Sequence, residues 1–141
     1  MAAKQDIEEG VEFAPKFDEN GLITAVACDA ETGQVLMVAY MNRQALDLTI
    51  QTGYATYFSR SRQKLWKKGE QSGHFQKVQQ ILVDCDQDCL VLKVTVDAGQ
   101  CHKGYQSCFY RALEEKTKGK LKFIAEKVYD PQKTYKSADG G

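Results

Sequence analysis

Side chains that can bind metals or move protons are concentrated in residues 84–108 of this chain. The segment holds four of the five cysteines, one of the two histidines and an Asp-x-Asp-x-Asp triplet, in the order DCDQDC and then CHKGYQSC. Thiolate and imidazole are common ligands of zinc, whereas clustered carboxylates are preferred by magnesium, calcium or manganese. The spacing therefore predicts an enzyme with two different metal ions side by side.

Three of the cysteines, Cys85, Cys101 and Cys108, are candidate zinc ligands. Cys101 and Cys108 flank the polar segment HKGYQS, and Cys85 lies between two aspartates. Any one of them alone fits equally well as a buried apolar residue. Together, three thiolates that leave one position open are typical of a catalytic zinc site, in which a bound water becomes a nucleophile. Cys28 and Cys89 lie in apolar strand patterns, which predicts a packing role for both.

The carboxylates of Asp84, Asp86 and Asp88 are candidate ligands of magnesium, and a solvated acidic turn is the alternative. An EF-hand is excluded because its sixth loop position would be Cys89 rather than glycine, and its twelfth Thr95 rather than glutamate. A nucleobase deaminase is excluded because the chain lacks both the His-x-Glu and the Pro-Cys-x-x-Cys motif.

A second group of candidate residues lies in segment 59–74, SRSRQKLWKKGEQSGH. The segment is basic and contains hydroxyls and the single tryptophan, a combination that favours a phosphorylated small molecule carrying a base. A solvated charged face is the alternative. The residues expected to bind this substrate are Ser59, Arg60, Ser61, Arg62, Trp66, Lys68, Glu70 and Ser72.

Apolar patterning predicts the elements that carry the basic segment. Residues 22–28 and 34–41 are expected to form a β-hairpin. Residues 42–53 predict a helix that begins after an asparagine N-cap and ends at a glycine. Residues 54–59 predict a strand, and residues 60–73 a long binding loop without regular structure.

The acidic triplet is expected at the tip of a second hairpin, between arms at residues 76–83 and 90–96. Short strands are predicted within residues 108–113 and 120–128. The polar tail from about residue 130 to 141 is expected to be frayed.

Composition limits the class of protein. A length of 141 residues with 43% hydrophobic content predicts one domain spanning residues 1–141. Nineteen basic and 19 acidic residues balance, which argues against nucleic acid or membrane partners and favours a small substrate. The N-terminal residues lack an apolar leader, so a cytoplasmic protein is expected, in which the cysteines are ligands or packed residues rather than disulfides.

Four segments together resemble the phosphoribosyl-AMP cyclohydrolases, which open an adenine ring during histidine biosynthesis: VLMVAYMNRQAL, ATYFSRSRQKLWKKGEQSGH, VDCDQDCL and CHKGYQSCF. They occur in the family's order, and the resemblance covers roughly residues 22–110. The resemblance implies an α+β fold with a mixed, strongly curved sheet, few helices and an intertwined homodimer. Some members carry a fused phosphoribosyl-ATP pyrophosphohydrolase domain, and this chain is expected to be too short for one.

The resemblance also implies the ligand sets of the two metals. One zinc ion per subunit would be shared between the chains, with the residue at position 85 contributed across the dimer. The implied ligands are Cys85, Cys101 and Cys108 for zinc and Asp84, Asp86 and Asp88 for magnesium.

The implied reaction is hydrolysis of the adenine ring of 1-(5-phosphoribosyl)-AMP between carbon 6 and nitrogen 1 by a zinc-activated water, giving the phosphoribosyl-formimino-aminoimidazole-carboxamide ribotide. His102, next to Cys101, is the candidate for proton transfer or for orienting the water, and His74 is a second candidate from the far side of the site. A structural role is the alternative for each histidine. The alternative function is a zinc-stabilised nucleotide-binding module without catalysis.

Overall fold

The computed structural model describes residues 4–96, 99–114 and 119–134 and has an α+β architecture with few helices, as predicted. In chain order the elements are α1 (Lys4–Glu9), β1 (Ile23–Asp29), β2 (Val35–Met41), α2 (Arg43–Thr52), β3 (Thr56–Ser59), β4 (Lys64–Lys67), β5 (Lys77–Val83), β6 (Cys89–Thr95), β7 (Arg111–Leu113), β8 (Leu121–Phe123) and α3 (Pro131–Thr134). Within these ranges no helix has the length and apolar character needed to cross a membrane.

Four strands form a mixed sheet in the order β2-β1-β6-β5. The antiparallel pairs β1–β2 and β5–β6 are the two predicted hairpins. β1 and β6 pair in parallel, with Ala25 opposite Leu90. Because a parallel pair needs a long crossover connection, the chain between the two hairpins leaves the sheet, and there it forms α2, β3 and β4.

The prediction of a strongly curved sheet is wrong. β2 and β5 are edge strands of the four-stranded sheet, and the described strands do not close into a barrel. A closed barrel needs more strands, tilted and staggered around a common axis. The intertwined homodimer stays a prediction.

The core forms where one face of the sheet meets α2 and β3. Side chains alternate along β6, so that Leu90, Leu92 and Val94 are all fully buried. They pack with Leu46 of α2 and Tyr57 of β3 in one apolar cluster. Burial of each large apolar side chain contributes about 1.5–3 kcal/mol, and this packing fixes β3 against the sheet.

Helix α2 begins and ends where the sequence predicts. The side-chain oxygen of Asn42 accepts a hydrogen bond from Ala45 N at 2.8 Å, and Gly53 ends the helix with a φ of 80°. The buried Thr49 then ties the helix to the next strand. Its Oγ1 donates to Ala45 O at 2.9 Å and accepts from Thr56 N at 3.0 Å.

The prediction of a loop without regular structure over residues 60–73 is wrong for residues 64–67, which form strand β4. β4 pairs with β3 as an antiparallel hairpin, with Trp66 opposite Tyr57. The connecting turn is tight because Ser59 Oγ accepts from Arg62 N at 3.2 Å and Gln63 adopts a φ of 53°. Apolar and aromatic residues at the centre of β4 favour a strand, and the polar residues around them hide that signal.

Short strands lie within both C-terminal ranges, as predicted. β7 and β8 each contain three residues and pair only with each other, with Ala112 opposite Lys122. The first residues of the tail predicted to fray form the short helix α3. The rest of the tail, residues 135–141, lies outside the described residues.

We expect Thr49→Val to lower the free energy of unfolding by about 1–3 kcal/mol, because the valine leaves the buried Thr56 N–H without an acceptor. Thr52→Val is the matched control, since Thr52 is exposed and water replaces its bond to Tyr54 N. The control should change the free energy by less than about 0.5 kcal/mol. Urea unfolding at one protein concentration measures both. Equal effects would contradict the role of Thr49 in docking β3.

Candidate active site

A cleft of about 370 Å³ lies along the β3–β4 hairpin and the turn that follows it. One of the two predicted catalytic histidines, His102, lines the cleft together with five of the eight predicted substrate-binding residues: Arg62, Trp66, Lys68, Glu70 and Ser72. Two further lysines of the basic segment also line it, Lys64 and Lys67, together with Gln71, which the sequence did not single out. Four basic side chains thus surround one small cavity, which suits an anionic ligand.

The other three predicted substrate-binding residues lie beside this cleft. Ser59, Arg60 and Ser61 line a neighbouring depression, and Trp66 borders both cavities. The guanidinium of Arg60 lies 4.1 Å from the ring centroid of Tyr40. Stacking on a tyrosine leaves the guanidinium edge free to bind an anion.

The turn after β4 is held in place by a close backbone approach at Gly69. A Cβ there would lie 2.5 Å from Phe75 N, and the φ of Gly69 is 99°, so only glycine fits. The carboxylate of Glu70 accepts from Lys67 N at 2.7 Å, and Ser72 Oγ accepts from His74 N at 3.2 Å. Two predicted substrate-binding side chains therefore also stabilise the turn that shapes the cleft.

Cys101 and Cys108 meet at the edge of this cleft. Cys101 is buried, and its N–H donates to Tyr105 O at 3.0 Å. At the other end of the segment Cys108 N donates to Leu36 O at 2.7 Å, and Ser107 Oγ donates to Val35 O at 2.6 Å. These bonds fold the segment into a loop that brings the two thiols close enough for Cys101 to affect the ionisation of Cys108.

Lys68 connects the thiol pair to the cleft. Its ammonium donates to Gln100 O at 2.8 Å and lies near both sulfurs. Burial lowers the pKa of Lys68, and the neighbouring Cys108 and Cys101 oppose that change. Cys108 is exposed as a residue, but protein atoms crowd its sulfur, and this burial, with the adjacent Cys101, raises the pKa of its thiol to about 11. A pair of adjacent thiols of which one, Cys108, resists ionisation without a cation is suited to a thiophilic metal such as zinc.

His102 is placed for proton transfer in the cleft. Partial burial lowers the pKa of its imidazole, and the positive charges of Lys103 and Lys68 lower it further. The sign of this shift favours the neutral imidazole near pH 7, and a neutral imidazole can accept a proton.

The three aspartates converge at the tip of the β5–β6 hairpin. One carboxylate oxygen from each of Asp84, Asp86 and Asp88 lies within 4.8 Å of the others, and all three residues are exposed. Hydrogen bonds with Asp86 and Asp84 raise the pKa of Asp88 to about 6, whereas the same contact with Asp88 lowers the pKa of Asp86. Carboxylates that share a proton in this way have the donor chemistry of a divalent cation site.

Cys85 does not join the other two candidate zinc ligands within the chain. It is exposed at the hairpin tip, and among the described residues only the aspartates form a group of three that could hold a metal. All five cysteines are unpaired, and Cys28 and Cys89 are half-buried.

The loop of residues 101–108, which carries Cys101 and Cys108, is called the thiol loop. His74 lies behind the thiol loop rather than in the wall of the cleft. Its ring is edge-on to Tyr129 at 5.0 Å between centroids, and the Tyr129 hydroxyl donates to Cys101 O. The Nδ1 atom of His74 is buried and has no hydrogen-bond partner among the described residues. The structure thus links His74 to the loop of Cys101 through Tyr129, whereas His102 alone of the two histidines lines the cleft.

Gln87 was not among the predicted site residues, although its side chain and backbone hold the acidic turn in place. Its side chain is buried, with Oε1 accepting from Ala14 N at 2.7 Å and Nε2 donating to Ile7 O and Glu12 O, each at 3.2 Å. Its backbone oxygen accepts from Lys16 N at 2.7 Å, and its φ is 60°. The N-terminal segment is therefore fastened to the turn that carries the aspartates. The one signal in the sequence was that Gln87 is a neutral residue between Asp86 and Asp88.

Comparison with known proteins gives consistent matches. Residues 37–110 match the family model of phosphoribosyl-AMP cyclohydrolase. The chain is 57% identical over 137 residues to the phosphoribosyl-AMP cyclohydrolase of Rhodopseudomonas palustris, covering 94% of this chain and 91% of that protein. It is 58% identical over 120 residues to the protein of the same name from Methanococcoides burtonii, covering 85% of this chain and 94% of the relative.

We expect Gln87→Ala to lower the free energy of unfolding by about 1–3 kcal/mol, because backbone groups of the N-terminal segment lose their partners. Proteolysis between residues 7 and 16 should also accelerate. Gln87→Gly removes the same amide but relieves the left-handed backbone, and the exposed Gln80→Ala is the control. Urea unfolding and limited proteolysis compare the three variants. Wild-type stability of Gln87→Ala, which keeps the left-handed backbone and loses only the amide, would contradict the role of the side chain.

Proposed function

This chain belongs to the phosphoribosyl-AMP cyclohydrolase family, and we propose that it hydrolyses the adenine ring of phosphoribosyl-AMP between carbon 6 and nitrogen 1. The product would be the opened carboxamide ribotide used in histidine biosynthesis. The observation that carries the proposal is the position of Lys68, which lines the basic cleft and also lies beside the Cys101 and Cys108 thiols. A phosphorylated ligand in the cleft would therefore lie against the thiol pair.

Cys101 and Cys108 would hold zinc together with Cys85 of the partner subunit. Within one chain the thiol pair follows the C-terminal end of β6, whereas the turn containing Cys85 precedes its N-terminal end. Seven residues of strand span roughly 23 Å, and Cys108 is tied to β2 through Leu36 O. Zinc–sulfur bonds of about 2.3 Å require the three sulfurs to lie close together. A second copy of the chain is the natural source of the third thiolate.

An exposed apolar surface supports the proposed homodimer. Leu113, Leu121 and Phe123 of the β7–β8 hairpin are 68%, 51% and 61% exposed. Leu82 and Val83 of the edge strand β5, next to Cys85, are also exposed. Apolar side chains grouped in this way favour a protein interface, and a second copy covering β5 would bring a thiol loop toward Cys85.

When bound, zinc would lower the pKa of a coordinated water from about 15.7 toward 7. The ribosyl group on nitrogen 1 makes the adenine ring electron-poor, so that carbon 6 accepts the attacking oxygen. His102 in its neutral form would take the proton from the water and return one to nitrogen 1 as the ring bond breaks. His74, behind the loop, is better placed to orient Cys101 than to transfer protons.

The remaining charges would bind and neutralise phosphate. Arg62 and Lys68 would bind phosphate oxygens in the cleft, and Arg60 with Ser59 and Ser61 would do so in the neighbouring depression. Trp66 borders both cavities and offers a ring on which the base can stack. Magnesium would be held by the carboxylates of the triplet, Asp84, Asp86 and Asp88.

The test is turnover of phosphoribosyl-AMP by the purified protein with zinc and magnesium, followed by the absorbance change of ring opening. Cys101→Ser should abolish both activity and bound zinc, because one of three protein ligands is lost. Cys28→Ser is the matched control and should keep both, because Cys28 lies in β1 away from the cleft.

Full zinc occupancy in Cys101→Ser would contradict the ligand assignment. Absence of turnover in the wild-type protein, with zinc removal unfolding the chain, would instead identify a metal-stabilised nucleotide-binding module.

A further inference from the structure

A buried chain of polar side chains runs through the core toward the candidate active site. Tyr57, Gln76 and Gln100 are all at most 1% exposed. The Tyr57 hydroxyl donates to Gln76 Oε1 at 2.6 Å, and Gln76 Nε2 donates to Gln100 Oε1 at 2.9 Å. The same Nε2 lies 3.2 Å from Met37 Sδ. Three segments distant in the chain are thereby joined through side chains alone.

The chain of hydrogen bonds ends at the groups that define the site. Gln100 immediately precedes Cys101, and its backbone oxygen accepts from Lys68 Nζ at 2.8 Å. Its N–H donates to Gln106 O at 3.1 Å, which closes the loop that carries both thiols. Gln76 is held in turn, because its backbone oxygen accepts from Ala55 N at 3.0 Å. The amide pair therefore links the core to the position of Lys68.

Stability alone does not require amides at these positions. A buried polar group is costly unless its hydrogen bonds are made, and replacing both partners of a bond by apolar groups of similar shape is often close to neutral. A hydrogen bond differs from an apolar contact because it fixes direction as well as distance. Amides are expected where the orientation of a neighbouring segment matters.

We propose that Gln76 and Gln100 are positioning residues, whose amide pair fixes the thiol loop and the Lys68 ammonium relative to each other. This inference rests on the proposed function, because the loop is taken to hold zinc and the ammonium to bind substrate. Neither glutamine is a proposed ligand or lines the cleft. Without the pair the loop would pack in more than one orientation, and Lys68 would lose its fixed distance from the sulfurs.

The test removes the polar network without removing its volume. The triple variant Tyr57→Phe/Gln76→Met/Gln100→Met replaces the buried hydroxyl and both amides by apolar groups of similar size. The variant Gln51→Met changes an exposed glutamine of α2, away from both cavities and from β5, and is the control. For each protein one measures the urea midpoint, kcat and KM for phosphoribosyl-AMP, and the thiolate charge-transfer band after loading with cobalt.

We expect the triple variant to keep a urea midpoint near that of the wild type. Its kcat should fall about ten- to a hundredfold, as is usual when groups that orient metal ligands are lost, and its cobalt band should shift or broaden. The control should match the wild type in all three measurements. A folded triple variant with the wild-type kcat and cobalt band would overturn the proposal and leave the network as plain core packing.

If the triple variant does not fold, the single variant Gln76→Met is measured in its place. It breaks the amide pair but leaves Gln100 and its backbone hydrogen bonds unchanged. A wild-type cobalt band and kcat in that variant would likewise overturn the proposal. Failure of the proposed function gives a different result, in which the wild-type protein itself shows neither turnover nor a thiolate band. In that case the positioning role fails as well.

Discussion

The parallel pairing of β1 with β6 is the constraint on which the arrangement of the site depends. It places the start of β6, with the acidic turn, at one end of the sheet, and the chain leaving β6 at the other end, beside the β1–β2 turn. There Ser107 and Cys108 bond to Val35 and Leu36. The crossover that parallel pairing demands contains α2 and the β3–β4 hairpin, and this hairpin forms the cleft. One pairing therefore separates Cys85 from the other two candidate ligands and brings the basic segment to the thiol loop.

Electrostatics at the two ends of the sheet point to two kinds of cation. At one end, three exposed carboxylates crowd together and raise the pKa of Asp88 to about 6. At the other end, burial and a neighbouring thiol raise the pKa of Cys108, while only the half-buried Lys68 opposes this. Each cluster is unfavourable in its fully ionised state without a counterion. Carboxylate oxygens and thiolates bind different metals, because oxygen is a hard ligand and sulfur a soft one. In the proposed dimer the carboxylate end of one subunit would meet the thiol end of its neighbour.

Local patterns were enough to predict both hairpins, helix α2 and most of the cleft. Asn42 and Gly53 predict the ends of the helix, and the apolar runs predict the strands. Both signals are local, because they depend on only a few neighbouring residues. The parallel pairing of Ala25 with Leu90 was not predictable in this way, since it joins segments far apart in sequence. Gln76, Gln87 and Gln100 were missed for the same reason, because a glutamine looks like any polar residue until its distant partners are known. β4 was missed because charged neighbours mask its two apolar residues.

The central claim, that the zinc site is shared between two copies of the chain, is tested most directly by mixing two inactive homodimers, Cys85→Ala and Cys101→Ala. In a hybrid dimer one site would carry both lesions and the other none. With random reassortment about half of the dimers are hybrids, so activity should return to roughly a quarter of the wild-type value, as two-fold symmetry requires. A mixture shown to contain hybrid dimers but with no regained activity would contradict the claim and leave the zinc site within each subunit.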